Sequence, residues 1–383
     1  MFFASFLVGC TGGDSGGMAV HPDGGAEAAL EWMRPDEWGP HGVGVKTLSW
    51  TDHRGKALVA DVWYPAWTEP DAPRAAYEPT TLTMSAVRDA PIDRRGGPLS
   101  VIAFSHGFAG IRFQSAFLME HLASHGWVII SPDHPGNTFL DINPDATGQV
   151  VLERPGDIRS AVDHLLGWAD AQEDGWGGAI DGSRYAMVGH SFGALTAMMV
   201  GGGAVDLTRV AEMCDAGEVG GVACAYIRDV DPTGIVGTAE ADPRAEVMVP
   251  MSPGVWYGFG PRGEGLGTTV PSLTMGGRAD SVLGYDAEIR PTWEALGLPR
   301  TLASFDDAGH LVFSDICLIS EFLSPECGDE EGWVDLGAAQ ATIKTLVTAW
   351  LDVHFRAEPR AGAWLSEAGL DEPHFLTLET VGR

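Results

Sequence analysis

The chain contains a serine whose neighbours suit it to nucleophilic chemistry. The sequence GHSFG at 189–193 follows a short apolar run at 185–188 and precedes a second apolar run at 194–200. A strand, a sharp turn that carries a serine and then a helix form the context in which Gly-x-Ser-x-Gly presents a reactive hydroxyl. The flanking glycines permit the tight turn, because glycine adopts backbone angles that other residues avoid. We therefore predict that Ser191 is a nucleophile.

A serine nucleophile requires a base that takes its proton and a carboxylate that orients the base. Beyond Ser191 in the chain, Asp280 follows the apolar run at 272–275, and His310 follows another at 301–305. The carboxyl ends of parallel strands meet at one edge of a sheet, where catalytic groups gather. We predict Asp280 as the acid and His310 as the base.

Other residues compete for these two roles. The alternative bases are His190, His354 and His374, and the alternative acids are Asp286, Asp306 and Asp307. We expect the side chain of His190 to point away from the site, because it precedes Ser191 on the strand. His354 and His374 lie in the C-terminal helix and tail, where surface or packing roles are expected. Asp306 and Asp307 are so close to His310 that they would share its loop.

The oxyanion that forms during acyl transfer requires hydrogen-bond donors. The sequence SHGFAG at 105–110 follows an apolar strand-like run, and its glycines allow the backbone to approach a substrate closely. We predict the backbone N–H groups of Phe108 and Phe192 as the donors, against the alternative that these glycines only form a turn. Trp256 and Tyr257 are candidates for lining the acyl pocket, with core packing as their alternative role.

These side chains need a sheet and helices to position them. Apolar runs predict strands, and spacings of three to four residues predict helices. The strands are expected at 99–104, 127–130, 185–188, 247–251, 272–275 and 301–305, and the helices at 112–124, 158–166, 194–200 and 343–351. Their alternation indicates an α/β fold with a mostly parallel sheet and helices on both faces. Alternating residues at 45–51 and 57–64 predict antiparallel strands at its start.

Composition shifts divide the chain into segments. We predict a leader remnant at 1–10, a flexible tether at 11–43, the α/β domain at 44–357 and a tail at 358–383. Residues 202–241 are expected to form an insertion or cap. The sequence leaves open whether this segment covers the site as a lid.

The N-terminus and the cysteines favour a location outside the cytoplasm. The apolar run that ends at Val8 is too short to span a bilayer, and LVGC at 7–10 resembles a bacterial lipobox with Cys10 as the lipidated residue. An ordinary leader with a chance cysteine is the alternative. The other four cysteines form two pairs ten residues apart: Cys214, Cys224, Cys317 and Cys327. They allow three connectivities, of which the local one is simplest, and small disulfide loops suit an oxidising compartment. We predict a bacterial lipoprotein, anchored or secreted.

The charge balance restricts the partners. The chain has 23 basic and 53 acidic side chains and a net charge of −30, which disfavours nucleic acid and anionic membrane surfaces. Residues 229–240 partly match a calcium-binding loop, although Pro232 is unusual there and flanking helices are not evident. We predict a monomer without metal or cofactor, with a small-molecule ester as its partner.

Several motifs occur in the order found in one known family. They are VWYP at 62–65, FSHG at 104–107, LASHG at 122–126, DHPGNT at 133–138, RPxD at 154–157 and GHSFG at 189–193. Over residues 45–355 the chain resembles the bacterial predicted dienelactone hydrolases and the related platelet-activating-factor acetylhydrolases of the α/β-hydrolase superfamily. The resemblance implies the α/β-hydrolase fold and cofactor-free hydrolysis of carboxylic esters, often with short acyl chains.

The chain departs from this family at two positions. The eukaryotic acetylhydrolases carry their acid after the strand that follows the serine, where this chain reads MSPG at 251–254, which supports Asp280 instead. Dienelactone hydrolases proper use a cysteine nucleophile, whereas this chain has Ser191. We therefore expect a serine esterase acting on short-acyl or small soluble esters through an acyl-enzyme. A lipase or cutinase-like polyester hydrolase and a non-catalytic surface-binding homologue are the alternatives.

Overall fold

One mixed sheet organises the part of the chain that the structure, a computed structural model, describes: residues 30–221, 224–225, 241–260, 263–266, 268, 270–318, 326–327, 332–370 and 373–382. In these residues the sheet has eleven strands in the order β11-β10-β9-β8-β7-β5-β6-β2-β1-β4-β3. The strands are β1 (Gly42–Thr51), β2 (Ala57–Ala66), β3 (Arg74–Ala76), β4 (Thr83–Arg88), β5 (Leu99–Ser105), β6 (Trp127–Pro132), β7 (Ile180–His190), β8 (Ala245–Met251), β9 (Ser272–Gly277), β10 (Arg300–Phe305) and β11 (Leu376–Val381).

The strands from β6 to β10 in the sheet run parallel, whereas β1, β2 and β6 pair antiparallel in succession. The predicted parallel sheet with an antiparallel start is therefore confirmed. The helices are α1 (Ala116–Ser124), α2 (Thr147–Asp170), α3 (Phe192–Val200), α4 (Leu207–Ala216), α5 (Arg290–Ala295) and α6 (Leu336–His354). None of the helices in the described ranges is long and apolar enough to cross a bilayer.

Both faces of the sheet are covered, as predicted. On β5, Ile102 and Phe104 pack in the core beneath α1 and α6, while Val101 and Ala103 pack in the core beneath α2 and α3. Because successive side chains of a strand point to opposite faces, a strand buried on both sides must be apolar throughout. This requirement explains the continuous apolar runs that predicted the central strands.

Helix α2 begins earlier than its sequence suggests. The helical spacing at 158–166 predicts a helix that begins after Pro155. The structure starts the helix at Thr147, so Pro155 lies inside it. Val150, Val151 and Arg154 are all buried, and their packing carries the helix through the proline.

The two outer regions of the sheet contain strands that local patterns did not reveal. Residues 66–99, a proline-rich stretch with no regular spacing of apolar residues, include β3 and β4, and the predicted tail contributes β11, which pairs antiparallel with β10. The predicted insertion includes α4; its part from 226 to 240 lies outside the described residues, as does Cys10. The cysteines form the two local disulfides, Cys214–Cys224 and Cys317–Cys327.

Candidate active site

Ser191 occupies a strained turn between β7 and α3. Its backbone has φ 57° and ψ −118°, a conformation that residues with a side chain rarely adopt. A Cβ on Gly189 would overlap the Gly193 carbonyl oxygen, and a Cβ on Gly193 would overlap the Ser105 carbonyl oxygen. The two motif glycines are therefore required for close packing around the serine, while their conformational freedom is secondary.

His310 and Asp280 form a buried hydrogen-bonded pair at the sheet edge where Ser191 lies. The His310 Nδ1 atom is 2.7 Å from Asp280 Oδ2, and the residues are 4% and 5% exposed. Asp280 follows β9, and its Oδ1 accepts the backbone N–H groups of Val282 and Leu283 at 2.9 and 2.7 Å. Because the carboxylate accepts the Nδ1 proton, Nε2 of His310 is left as the basic nitrogen. The structure thus brings the predicted acid and base together.

His190 does not point away from this pair, in contrast to the prediction. Its ring centroid is 4.8 Å from that of His310, and its Nε2–H donates to the His310 carbonyl oxygen at 2.9 Å. Its Nδ1 accepts Gln114 Nε2 at 2.8 Å. Burial lowers the pKa of His190 well below its ordinary value, so this imidazole is neutral. His190 is therefore a neutral ring that packs against His310 and donates to its backbone.

The remaining alternatives for the acid and the base lie in other surroundings. Asp306 pairs with Arg278 at 2.7 Å, and Asp286 is exposed in the short helical segment Tyr285–Ile289. The His354 ring lies 3.8 Å from that of Trp350, and the His374 ring lies 5.7 Å from that of Phe375. Asp307 has φ 53° and accepts the Val334 N–H through its backbone carbonyl.

A carboxylate that sequence reasoning missed binds the backbone of His310. Glu326 Oε2 accepts the His310 backbone N–H at 2.7 Å, and Glu326 Oε1 accepts the hydroxyl of Ser281, the neighbour of Asp280. The Cys317–Cys327 disulfide fixes the residue that follows Glu326. Glu326 stands among other acidic residues after 324, so the sequence offers no signal that sets it apart.

The loop after β5 approaches Ser191 closely. A Cβ on Gly107 would lie 3.4 Å from Ser191 Cβ, and the Phe108 and Phe192 rings meet edge to face with centroids 6.1 Å apart. The Gly107 N–H donates to Gln114 Oε1 at 2.9 Å. Gln114, which sequence reasoning also missed, thus connects the loop of the predicted oxyanion donors to His190.

The two pocket candidates have different surroundings. Tyr257 is 3% exposed within the apolar core, and its carbonyl oxygen accepts Arg209 Nε of α4 at 3.1 Å, which fits the packing alternative. Trp256 is half-buried, and its Nε1 donates to the Ala287 carbonyl oxygen at 2.9 Å. Among the described residues, no group of His, Cys, Asp and Glu side chains is arranged to hold a metal ion. The partial calcium motif at 229–240 lies outside those residues.

Comparison with known proteins relates this geometry to esterases. No family model matches the sequence. The chain is 26% identical to cutinase est2 of Thermobifida alba over 219 residues, which are 57% of this chain and 54% of that protein. It is 36% identical to cutinase est1 of Thermobifida alba over 100 residues, which are 26% of this chain and 29% of that protein. A bis(hydroxyethyl) terephthalate hydrolase of Streptomyces coelicolor is 29% identical over 119 residues, which are 31% of each chain.

The sequence matches thus span about half of these curated relatives or less. A solved structure, a ferulic acid esterase from Streptomyces cinnamoneus, matches over 92% of this chain and 99% of that chain, with a TM-score of 0.60 and 20% identity. A likeness at this identity establishes the fold. With its mixed sheet, its helices on both faces and its serine-bearing turn between β7 and α3, the chain has the α/β-hydrolase fold.

Proposed function

We propose that this protein is a serine hydrolase of carboxylic esters that works through an acyl-enzyme. The His310–Asp280 pair, at the sheet edge that also carries Ser191 on its strained turn, is the observation that carries the proposal. The names of the relatives, which are cutinases, a terephthalate-ester hydrolase and a ferulic acid esterase, support ester hydrolysis as the reaction class.

In the proposed reaction, the Ser191 hydroxyl attacks the ester carbonyl carbon while His310 Nε2 takes its proton. The N–H groups of Phe108 and Phe192 donate to the oxyanion, and Asp280 stabilises the imidazolium without taking its proton. The imidazolium then protonates the leaving alkoxide, which departs as the alcohol. Water attacks the acyl-enzyme with His310 as base, and the carboxylic acid leaves while Ser191 regains its proton.

We further propose small soluble esters with short acyl chains as substrates, by the resemblance to the dienelactone hydrolases and acetylhydrolases. The two disulfides support a location outside the cytoplasm, because such bonds persist in oxidising compartments. Lipidation at Cys10 and a monomeric state belong to the same proposal.

A series of p-nitrophenyl esters of increasing acyl length tests the reaction and the substrate class. Ser191→Ala is expected to lower kcat by about 10⁴-fold or more, because the covalent route is lost. Ser183→Ala, an exposed serine at the opposite end of β7, is the control and should keep wild-type turnover. Undiminished turnover in Ser191→Ala would overturn the proposal, and the length profile locates the preferred acyl chain.

One surface feature favours a cutinase-like hydrolase of insoluble esters as a second candidate. Phe139, Leu140 and Ile142 are 42%, 62% and 39% exposed in the loop after β6. This loop lies beside the predicted oxyanion loop, because the Phe139 N–H donates to the Gly110 carbonyl oxygen at 3.1 Å. An exposed apolar patch beside a site can adsorb to an apolar solid.

The double variant Phe139→Ser/Leu140→Ser tests this second candidate. It should hydrolyse a polyester film several-fold more slowly than wild type and keep the wild-type kcat/KM for a soluble acetate ester. Leu298→Ser, which removes a 52% exposed apolar side chain before β10, is the control. Equal film hydrolysis by the loop variant and the control would rule out adsorption through this loop.

A further inference from the structure

A fully buried arginine lies directly behind the loop that is proposed to bind the oxyanion. Arg154 of α2 donates to the carbonyl oxygens of His106 at 2.6 Å and Gly107 at 3.2 Å, to the Ser105 hydroxyl at 3.3 Å and to Asn137 Oδ1 at 2.6 Å. We propose that Arg154 is a positioning residue of the oxyanion hole, which fixes both backbone donors and adds positive potential behind them. This inference rests on the ester hydrolysis proposed above.

The first donor is fixed through its own peptide group. The Gly107 carbonyl and the Phe108 N–H belong to one planar trans peptide, in which C=O and N–H point in opposite directions. The Gly107 oxygen accepts Arg154 together with His106 Nδ1 at 2.8 Å and the Gly110 N–H at 3.1 Å. Three donors on one oxygen hold the peptide plane, and they polarise the Phe108 N–H on its opposite side.

The second donor is held through an aromatic ring. The guanidinium carbon of Arg154 lies 4.5 Å from the centroid of the Phe192 ring, within the range of a cation–π contact. Phe192 directly follows Ser191 and opens α3, and its N–H is the second proposed donor. Arg154 therefore contacts the peptide group that carries the first donor and the residue that carries the second.

A structural link between these loops does not require the positive charge of Arg154, since an uncharged donor could bind the same oxygens. The four oxygens to which it donates are neutral, and its Nε is buried without a hydrogen-bond partner among the described residues. The carboxylate of Asp157, one turn along α2, is bound by Arg54 at 2.6 Å, Lys56 at 3.0 Å and His134 at 3.0 Å. Burial lowers the pKa of Arg154 to about 9, so it is still a cation at neutral pH. A buried cation is costly, and its place beside a developing anion offers a reason for keeping it.

This arrangement also gives a role to two motifs that contain none of Ser191, Asp280 and His310. The motif at 154–157 supplies Arg154, and the motif at 133–138 supplies Asn137 and His134. His134 Nε2 lies 2.9 Å from the Ser105 hydroxyl, which Arg154 also contacts. His134 is fully buried, so this second serine–histidine–aspartate chain is a scaffold for the loop and has no access to substrate.

The test compares Arg154→Met and Arg154→Lys with Arg356→Met. Arg356 makes similar contacts at the opposite end of the sheet: it donates to the carbonyl oxygens of His125 and Gly126 at 2.8 and 2.9 Å, covers the Trp127 ring at 3.9 Å and also pairs with Asp352 at 3.3 Å. For each variant, kcat and KM on p-nitrophenyl acetate, the inhibition constant of an aryl boronic acid and the melting temperature are measured. The boronate forms a tetrahedral anion on Ser191 and reports on the oxyanion hole directly.

Arg154→Met is expected to lower kcat by about 10- to 100-fold with KM nearly unchanged, somewhat less than the loss of a donor itself. The boronate affinity should fall by a similar factor. Arg154→Lys should be intermediate, because an ammonium group cannot reach both carbonyls and Asn137 in one geometry. Arg356→Met should lower the melting temperature and keep kcat.

Wild-type kcat in a folded Arg154→Met variant would overturn the inference, as would a rise in KM with unchanged boronate affinity. If Arg154→Met does not fold, Arg154→Lys decides by the same criteria. The control Ser191→Ala separates the two proposals. When Ser191→Ala is inactive and the Arg154 variants match Arg356→Met in kcat, the inference alone fails. When Ser191→Ala retains wild-type turnover, the proposed ester hydrolysis fails and the inference fails with it.

Discussion

Ser191 keeps its strained backbone because its neighbours lack side chains. Its φ of 57° turns the chain sharply between β7 and α3, and the turn packs directly against the end of β5. Gly193 contacts the Ser105 carbonyl in a space that excludes a methyl group. Ser191 and the proposed oxyanion loop are therefore placed relative to each other by backbone contact.

Gly193→Ala is expected to lower the free energy of unfolding by about 2 kcal/mol or more, because the added methyl group must displace backbone atoms. Gly167→Ala is the matched control. Gly167 is exposed within α2 with nothing within 4 Å of an added Cβ, so alanine there should raise stability by up to about 1 kcal/mol. Urea unfolding of both variants measures the difference, and equal stabilities would contradict the packing argument.

Asp315 makes stability depend on pH. Burial raises the pKa of Asp315 to about 8; Oδ2 accepts the Phe117 N–H at 2.9 Å, and Oδ1 has no hydrogen-bond partner among the described residues. The ordinary pKa is 3.8, so between about pH 4 and pH 8 the folded state binds a proton that the unfolded state releases. This residue therefore lowers the stability of the protein as pH rises through that window.

Asp315→Asn keeps an acceptor for the Phe117 N–H and removes the titration. The variant should gain stability relative to wild type from pH 5 to pH 8, at no more than about 1.4 kcal/mol per pH unit. Melting temperatures of both proteins at four pH values in this range measure the effect. Parallel pH profiles would show that Asp315 is ionised in the folded state.

At the level of elements, the two disulfides close loops of equal length in different parts of the fold. Each joins cysteines ten residues apart, so the loop-closure contribution is about 3 kcal/mol for either one. Cys214 lies within α4, so Cys214–Cys224 joins that helix to the segment after it, whereas Cys317–Cys327 adjoins Glu326, which holds the His310 backbone. The second disulfide therefore supports His310, through Glu326, as well as its own loop.

Replacing either pair by serines should lower the melting temperature by similar amounts. Only Cys317→Ser/Cys327→Ser should also lower kcat for a soluble ester, by several-fold, because Glu326 then loses its fixed position beside the His310 N–H. Cys214→Ser/Cys224→Ser is the control, matched in loop length. Wild-type kcat in the Cys317/Cys327 variant would mean that Glu326 is held without the disulfide.

Across the whole molecule, the sequence predicted the parts that are encoded locally. The central strands follow from continuous apolar runs, and Asp280 and His310 follow from their places after two of these strands. β11 was not predicted, because its half-exposed residues become a strand only by pairing with β10. Gln114 and Glu326 were missed for a related reason, since their contacts join segments whose proximity is set by the completed sheet.

The net charge of −30 bears on the release of product from the proposed reaction. Hydrolysis converts an uncharged ester into a carboxylate, and a strongly acidic protein repels this anion once it forms. Salt screens the repulsion, since the Debye length falls from about 10 Å at 0.1 M to about 3 Å at 1 M. We expect the carboxylate product to inhibit several-fold more strongly in 1 M salt, with the alcohol product as the uncharged control. A carboxylate inhibition constant that does not change with salt would show that surface charge has no part in product release.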